Sequence, residues 1–332
     1  MQESRFKYIA VASLLAAGTM FAGTAWGGSH SGLGTTGYVG YRPENAQPEA
    51  AVPVKPFASF HSASFASGGV ALRNRAEGVI QISGATTPIQ KAYLYFAYLY
   101  QGTPPTSVPI TLTRLSPTPS ATKVLNANRV AEAADPCWGS SGTAVYRATV
   151  PTTVASGNGE YLVQPDASVV GLNNGEDPFD GNVVFPMDEG ASLVLIDTGE
   201  FNVDLFNHVH EFKTTPYAYT LQLSSTAGSS ITFGSIGADG QTGSNDSLGS
   251  QASGDTVSVN GTAISGIGST LNPDSDWDGS AGWPLPQLWD NVAHHITIQS
   301  GASTLAVKIT PRPDVNKNTD CLVTIANIVS HS

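Results

Sequence analysis

The residues best suited to chemistry form an acidic loop late in the chain. Three aspartates at alternate positions precede a glycine: Asp274, Asp276, Asp278 and Gly279. Alternating carboxylates can surround a hard cation, and the glycine allows the sharp turn that brings their oxygens together. A full EF-hand loop would place a glutamate where this chain has Leu285, so Asp290 is the candidate that completes a looser site. The spacing predicts calcium on the three loop aspartates and Asp290, with a solvated acidic turn as the alternative.

Three tryptophans lie in or beside this loop: Trp277, Trp283 and Trp289. An exposed indole ring next to polar side chains can stack on a sugar, so these residues predict a ligand platform for carbohydrate. The alternative is that the rings pack beneath a long loop, where Pro284 and Pro286 restrict the chain.

Two histidines form a weaker candidate metal site. His208 and His210 are two residues apart in a predicted strand, so their side chains point the same way. Two imidazoles on one strand face can bind a transition metal with a third ligand, for which His294 and His295 are candidates. The commoner arrangement is a half-buried pair without metal, and Phe206 on the same face favours it.

No motif for nucleophilic catalysis is present. The chain has no G-x-S-x-G elbow, no H-E-x-x-H helix and no phosphate-binding G-x-x-x-x-G-K loop. Paired carboxylates could still hydrolyse glycosides, but their separation in space is not visible in a sequence. We therefore predict no catalytic residue and no enzyme. A hydrolase would require acidic residues that converge in a cleft.

The two cysteines, Cys137 and Cys321, predict one disulfide. Disulfides persist outside the cytoplasm, and this one would stabilise the fold by about 5 kcal/mol according to the chain-entropy description. The alternative is a pair of buried free thiols.

The amino-terminal region predicts export. Basic residues precede a weakly apolar run, Tyr8–Phe21, and small residues follow, which is typical of a signal peptide over residues 1–27. The run is too short and too weakly apolar for a membrane anchor, so we expect no integral membrane span in the mature protein. We expect a secreted protein, extracellular or on the outer surface. The net charge of −11 disfavours nucleic acid and anionic membranes as partners.

The remaining sequence predicts a flexible leader over residues 28–56 and an all-β domain over residues 57–330. Short apolar segments alternate with Gly, Pro, Asn and Asp turns, and crossover helices are missing, which predicts an antiparallel β-sandwich or jelly roll. It would form one large or two packed sandwiches, with a possible subdivision near 200. The longest helix candidate, Ala121–Ala134, could instead be an excursion between strands. The predicted strands are Phe57–Phe65, Gly78–Ile82, Ile89–Tyr100, Pro109–Leu115, Thr143–Val150, Gly159–Val163, Ser192–Asp197, Asn202–Phe212, Tyr217–Leu223, Ser230–Ile236, Thr256–Val259, His295–Gln299, Thr304–Ile309 and Cys321–Ser330.

Six stretches, in order along the chain, carry a family resemblance. They are IQKAYLYFAYLY (Ile89–Tyr100), AVYRATVPTTVASGNGEYLV (Ala144–Val163), EGASLVLID (Glu189–Asp197), GADGQTG (Gly237–Gly243), LPQLWDN (Leu285–Asn291) and TDCLVTIANIVS (Thr319–Ser330). On these the chain resembles a large group of exported bacterial β-sandwich domains of uncharacterised function, often found in cell-surface and adhesin-like proteins. The resemblance implies a surface role, because its motifs concern strand packing and turns rather than a reaction.

Three functions follow as expectations. The leading one is a non-catalytic secreted or surface-associated structural or adhesion protein, stabilised by calcium, whose partner is a cell-surface protein, a matrix protein or a glycan. The second is a carbohydrate-binding module that uses the three tryptophans. The third is a jelly-roll hydrolase. The oligomeric state is left open by the sequence.

Overall fold

The computed structural model describes residues 52–73, 75–135, 137–171, 184–240, 255–266, 268–271, 276–279, 281, 288–311 and 321–332. These residues form an all-β protein with one short 3-10 turn at Ala167–Val169. The strands are β1 (Ala58–Ala71), β2 (Gly78–Ile82), β3 (Ile89–Tyr100), β4 (Ser107–Ser116), β5 (Ala121–Ala133), β6 (Gly142–Thr149), β7 (Gly159–Pro165), β8 (Met187–Thr198), β9 (Phe201–Phe212), β10 (Tyr217–Ala227), β11 (Ser230–Ala238), β12 (Thr256–Val259), β13 (Thr262–Ser265), β14 (Trp289–Thr297), β15 (Ala302–Thr310) and β16 (Leu322–His331). Among the described residues we find no helix with the length and apolar character needed to cross a bilayer.

The strands form one sheet of twelve strands and one of four. The larger has the order β14-β11-β16-β9-β1-β8-β3-β6-β5-β4-β7-β2, and the smaller has the order β10-β15-β12-β13. The registered pairs between these strands are antiparallel, as in β1 with β8 and β3 with β6. The predicted antiparallel sandwich is therefore confirmed.

Side-chain alternation explains where the cores lie. In β4, Val108, Ile110 and Leu112 point inward while their neighbours are more exposed, so one face of the strand packs on the core. Strand β3 differs, because it is buried on both faces from Ala92 to Tyr100 and lies between β6 and β8. The central position expected for this apolar strand is thus observed.

Three apolar clusters define two sandwiches and the interface between them. One cluster joins residues of β1 to β8, from Ala66 to Leu195, and another joins residues from Phe206 to Val329. The third contains residues from both groups, such as Tyr95 of β3 and Ile325 of β16. Strand β1 pairs with β8 along its second half and with β9 along its first half, so one sheet continues through both sandwiches.

Some local predictions differ from the structure. The helix candidate is strand β5, in which Leu125 and Ala127 alternate inward like the residues of any half-buried strand. Strand β14 begins at Trp289, six residues before the predicted strand, because residues assigned to the acidic loop pair with β11. The predicted signal peptide and most of the predicted leader lie outside the described residues, and their boundaries stay predictions. Within the last residues of that leader, Val54 bridges to Leu221 of β10.

The predicted disulfide is present. Cys137 and Cys321 are joined, with their Cα atoms 6.2 Å apart. Cys137 lies in the loop between β5 and β6, and Cys321 directly precedes β16. The bond therefore connects the first sandwich to the second.

Candidate functional site

A buried ion cluster lies where the two sandwiches meet. Arg73, just after β1, forms ion pairs with Glu189 of β8 and with Asp239, the residue after β11. All three side chains are almost completely buried. The guanidinium carbon also lies 5.3 Å from the centre of the Trp138 ring, whose Nε1 donates to Asp239 Oδ2 at 3.4 Å. We refer to Arg73, Glu189 and Asp239 as the ion cluster.

Burial sets the charge of this cluster. Loss of water opposes the charge on Arg73, but the two carboxylates outweigh it and raise the pKa of the guanidinium, which stays charged. Burial raises the pKa of Glu189 to about 8, although Arg73 opposes the shift. Burial also raises the pKa of Asp239. Burial thus favours the protonated form of both carboxyls, whereas Arg73 favours their ionised form.

A second pair of acidic residues, Asp135 and Glu211, lies beside the ion cluster. Backbone N–H groups hold the Asp135 carboxylate: Oδ1 accepts from Cys137 at 2.6 Å and from Trp138 at 2.8 Å, and Oδ2 accepts from Ser140 at 2.8 Å. Such donors stabilise the ionised form. The loop that carries the disulfide thus fixes this carboxylate.

Glu211 of β9 meets Asp135 from the other sandwich. Its side chain is 5% exposed, its Oε2 accepts from Thr143 Oγ1 at 2.9 Å, and its carboxyl hydrogen-bonds to Asp135. Burial raises the pKa of Glu211 to about 10, with further increases from Asp239 and Asp135. Burial also acts to raise the pKa of Asp135, but hydrogen bonds from Glu211 and from the backbone outweigh it and lower that pKa. At neutral pH, Glu211 carries the proton and donates to the Asp135 carboxylate.

These two carboxyl groups line a cleft of about 350 Å³, which we call the carboxyl cleft. The other lining residues are Glu132, Ala133, Ala134, Val209 and His210. A proton donor and an ionised acceptor therefore share one cavity between the sandwiches. Such a pair can transfer protons to and from a bound molecule. The sequence did not identify this pair, although one signal was present: Glu211 shares a face of β9 with the apolar residues Val203, Leu205 and Val209.

The predicted calcium residues are only partly brought together. Asp290 Oδ1 accepts from the backbone N–H of Gly279 at 2.7 Å and of Asp278 at 3.1 Å. Burial raises the pKa of Asp290 well above its ordinary value, and the nearby carboxyl of Asp278 adds to the increase. Asp276 turns instead to His294, with 2.7 Å between Oδ1 and Nε2. Asp274 lies outside the described residues.

Calcium binding stays a prediction. Among the described residues, one group of three His, Cys, Asp or Glu side chains has its ligand atoms within 4.8 Å of one another, namely Cys137, Glu211 and Cys321. Its two sulfurs form the disulfide, so they are not free as metal ligands.

The described tryptophans of the predicted sugar platform are buried. Trp289 donates from Nε1 to Ser192 Oγ at 3.0 Å, and Trp277 is likewise among the largest buried side chains. In this structure neither ring presents a face to a ligand. The platform prediction therefore depends on Trp283, which lies outside the described residues.

The predicted histidine pair packs against tyrosines. His208 Nε2 lies 2.8 Å from Tyr217 Oη, and the ring of His210 stacks on Tyr217 with centroids 3.7 Å apart. Burial, with a smaller effect of His210, lowers the pKa of His208 to about 4, so its ring is neutral. His294 is bonded to Asp276, and His295 Nδ1 is bonded to Thr232 at 2.8 Å.

Comparisons with known proteins leave the family open. No family model matches the chain, and no curated protein is similar to it. One solved structure that resembles it is that of PNGF-II in the C2 space group, at 9% identity and a TM-score of 0.25. The match covers 79% of this chain and 61% of that chain. A TM-score this low assigns the chain no activity.

Proposed function

We propose that this is an exported structural or adhesion protein that works at the cell surface or in the matrix. The observation that supports the proposal is the way the two sandwiches are joined into one compact unit. Strand β1 is shared between them, the Cys137–Cys321 disulfide joins them, and the ion cluster lies at their interface. A disulfide of this kind persists in an oxidising compartment, where such a unit would resist reduction and pulling.

Surface location can be tested on intact cells that produce the protein. Protease added outside should digest the mature chain, and an alkylating reagent should modify Cys137 and Cys321 only after reduction. A cytosolic chain whose two thiols react without reduction would contradict the proposal.

The carboxyl cleft favours hydrolysis as a second candidate function. In that reaction the Glu211 O–H would donate its proton to the leaving group, while Asp135 would accept a proton from water as the water oxygen bonds to the substrate carbon. Two carboxyls that share one proton are an established arrangement for this chemistry. The cleft also meets the requirement that acidic residues converge in space.

The test of this second candidate uses p-nitrophenyl glycosides and internally quenched peptides as probes. If the wild type hydrolyses a probe, Glu211→Gln and Asp135→Asn should each abolish turnover, while Glu160→Gln should retain it because that exposed side chain lies on β7, outside the cleft. Absence of wild-type hydrolysis across both probe sets would reject this candidate and leave the adhesion role untouched.

A further inference from the structure

A second cavity lies at another part of the interface between the sandwiches. It has a volume of about 350 Å³, within the range of about 300–1,000 Å³ that is typical of small-molecule sites. Its lining includes Ser64 and Ser67 of β1, Thr232 of β11, and Asn291 and His295 of β14. We call this cavity the polar groove. Both sandwiches contribute to it, as is common for ligand sites.

The groove offers hydrogen bonds without formal charge. None of its lining residues, all within the described part of the chain, is Asp, Glu, Lys or Arg. Asn291 donates from Nδ2 to Ser67 Oγ at 3.0 Å, and no described residue hydrogen-bonds to its buried Oδ1. That oxygen is enclosed by the protein, so the polar groups open to a ligand are on exposed residues such as Ser83 and His295.

The imidazole of His295 adds a second polar group. Its Nδ1 is bonded to Thr232 Oγ1 at 2.8 Å, which fixes the ring while the side chain as a whole stays exposed. The register places His295, Thr232 and Ser330 side by side on three neighbouring strands, so they form a row across the groove. Polar groups held by a sheet in this way need little reordering when a ligand binds.

An aromatic ring completes the groove. Phe201, the first residue of β9, is 43% exposed, and no other aromatic residue occurs among the exposed large hydrophobic side chains of the described chain. An aromatic face next to hydroxyl, amide and imidazole groups matches a sugar, which has an apolar C–H face and a polar rim. The absence of charged lining groups disfavours phosphates, sulfates and cationic ligands.

We propose that the polar groove binds a neutral sugar unit of a glycan, with Phe201 stacked on its C–H face and the exposed imidazole of His295 hydrogen-bonded to one of its hydroxyls. This site is separate from the three tryptophans of the predicted platform. The inference deepens the proposed adhesion role and rests on it for its biological purpose, because it names the chemistry of the partner. Recognition of the sugar itself depends only on the groove.

The test uses purified mature protein and an array of neutral oligosaccharides built from hexoses and N-acetylhexosamines, followed by titration calorimetry on the best probe. Phe201→Ala and His295→Ala should each weaken binding about tenfold, the effect of losing one good contact. Leu115→Ala is the matched control, because Leu115 is 41% exposed but lies on β4, away from the groove. It should leave binding unchanged.

The outcomes separate this inference from the proposed function. Phe201→Ala alters an exposed side chain, so it keeps the test valid even if His295→Ala disturbs folding through the lost bond to Thr232. No saturable binding to any neutral glycan, or equal weakening by Leu115→Ala, would overturn the groove proposal. Tighter binding of anionic glycans than of their neutral counterparts would do the same. The protease experiment on intact cells fails or succeeds independently, since it reports location and not ligand.

Discussion

Replacing Glu211 by glutamine should make the folded protein more stable than the wild type in neutral and alkaline solution. The reason is the proton on Glu211. Its carboxyl pKa rises from the ordinary 4.5 to about 10 on folding, mainly because of burial. Between those values the unfolded chain is ionised at this position while the folded chain must keep the proton. The contribution of this group to the unfolding free energy is therefore fully present below pH 4.5, where the carboxyl is protonated in both states. It is lost as the pH rises from 4.5 toward 10.

The size of the effect follows from linkage. Each pH unit in that window costs the wild type about 1.4 kcal/mol of unfolding free energy from this one group. The glutamine variant has no such cost, and its amide can still donate to Asp135 and accept from Thr143. Between pH 5 and pH 8 the difference in stability between the two proteins should thus shift by about 4 kcal/mol in favour of the variant.

Urea unfolding at a series of pH values measures this difference directly, because groups common to both proteins cancel. Glu132→Gln is the control, since it removes a carboxyl from the same cleft but one that is 52% exposed. A stability difference between Glu211→Gln and wild type that stays constant from pH 5 to pH 8 would refute the assignment of the proton to Glu211.

Three further predictions concern stability. Arg73→Met should lower the unfolding free energy by about 3–5 kcal/mol, because it leaves buried carboxyls without their cation. The control Arg129→Met removes a partly exposed ion pair and should cost less than about 1 kcal/mol. Urea titrations that show equal losses for the two variants would contradict this prediction. Replacing both Cys137 and Cys321 by alanine should cost about 2–5 kcal/mol, and dithiothreitol should lower the melting temperature of the wild type but not of the double variant. If calcium binds the acidic loop, EGTA should lower the melting temperature of the wild type and leave that of Asp290→Asn unchanged. An identical wild-type midpoint with and without EGTA would remove the calcium prediction.

Local patterns in the sequence predict the strands well. The alternation of Val108, Ile110 and Leu112 identifies β4, and the bounds of Thr256–Val259 match β12. The disulfide also follows from the sequence, because two cysteines allow one pairing within the chain. Strand β5 is harder to assign, since only Leu125 and Ala127 are buried and polar residues interrupt the alternation of apolar and polar side chains elsewhere in the strand.

The sites depend on contacts between distant strands, which a sequence does not display. Arg73 gives no sign in its own neighbourhood that it will meet Glu189 and Asp239, because those pairs depend on the order of strands in the sheet. The aspartates of the acidic loop differ from Arg73, because the sequence marks them as candidate ligands but does not show which residues they contact. Their spacing is informative, but Asp276 finds His294 as its partner through the position of β14.

The place of β1 in the large sheet has a consequence for how the chain matures. β1 lies between β8 and β9, two strands that follow each other in sequence, and it bonds to both. Strand β1 must therefore wait for strands that emerge more than a hundred residues later, and the sheet stays unfinished until β16, which ends at His331, is available. A chain cut near residue 200 would separate β1 from β9, so neither half contains all the strands it needs. Two such fragments should recover the native sheet only by associating with each other.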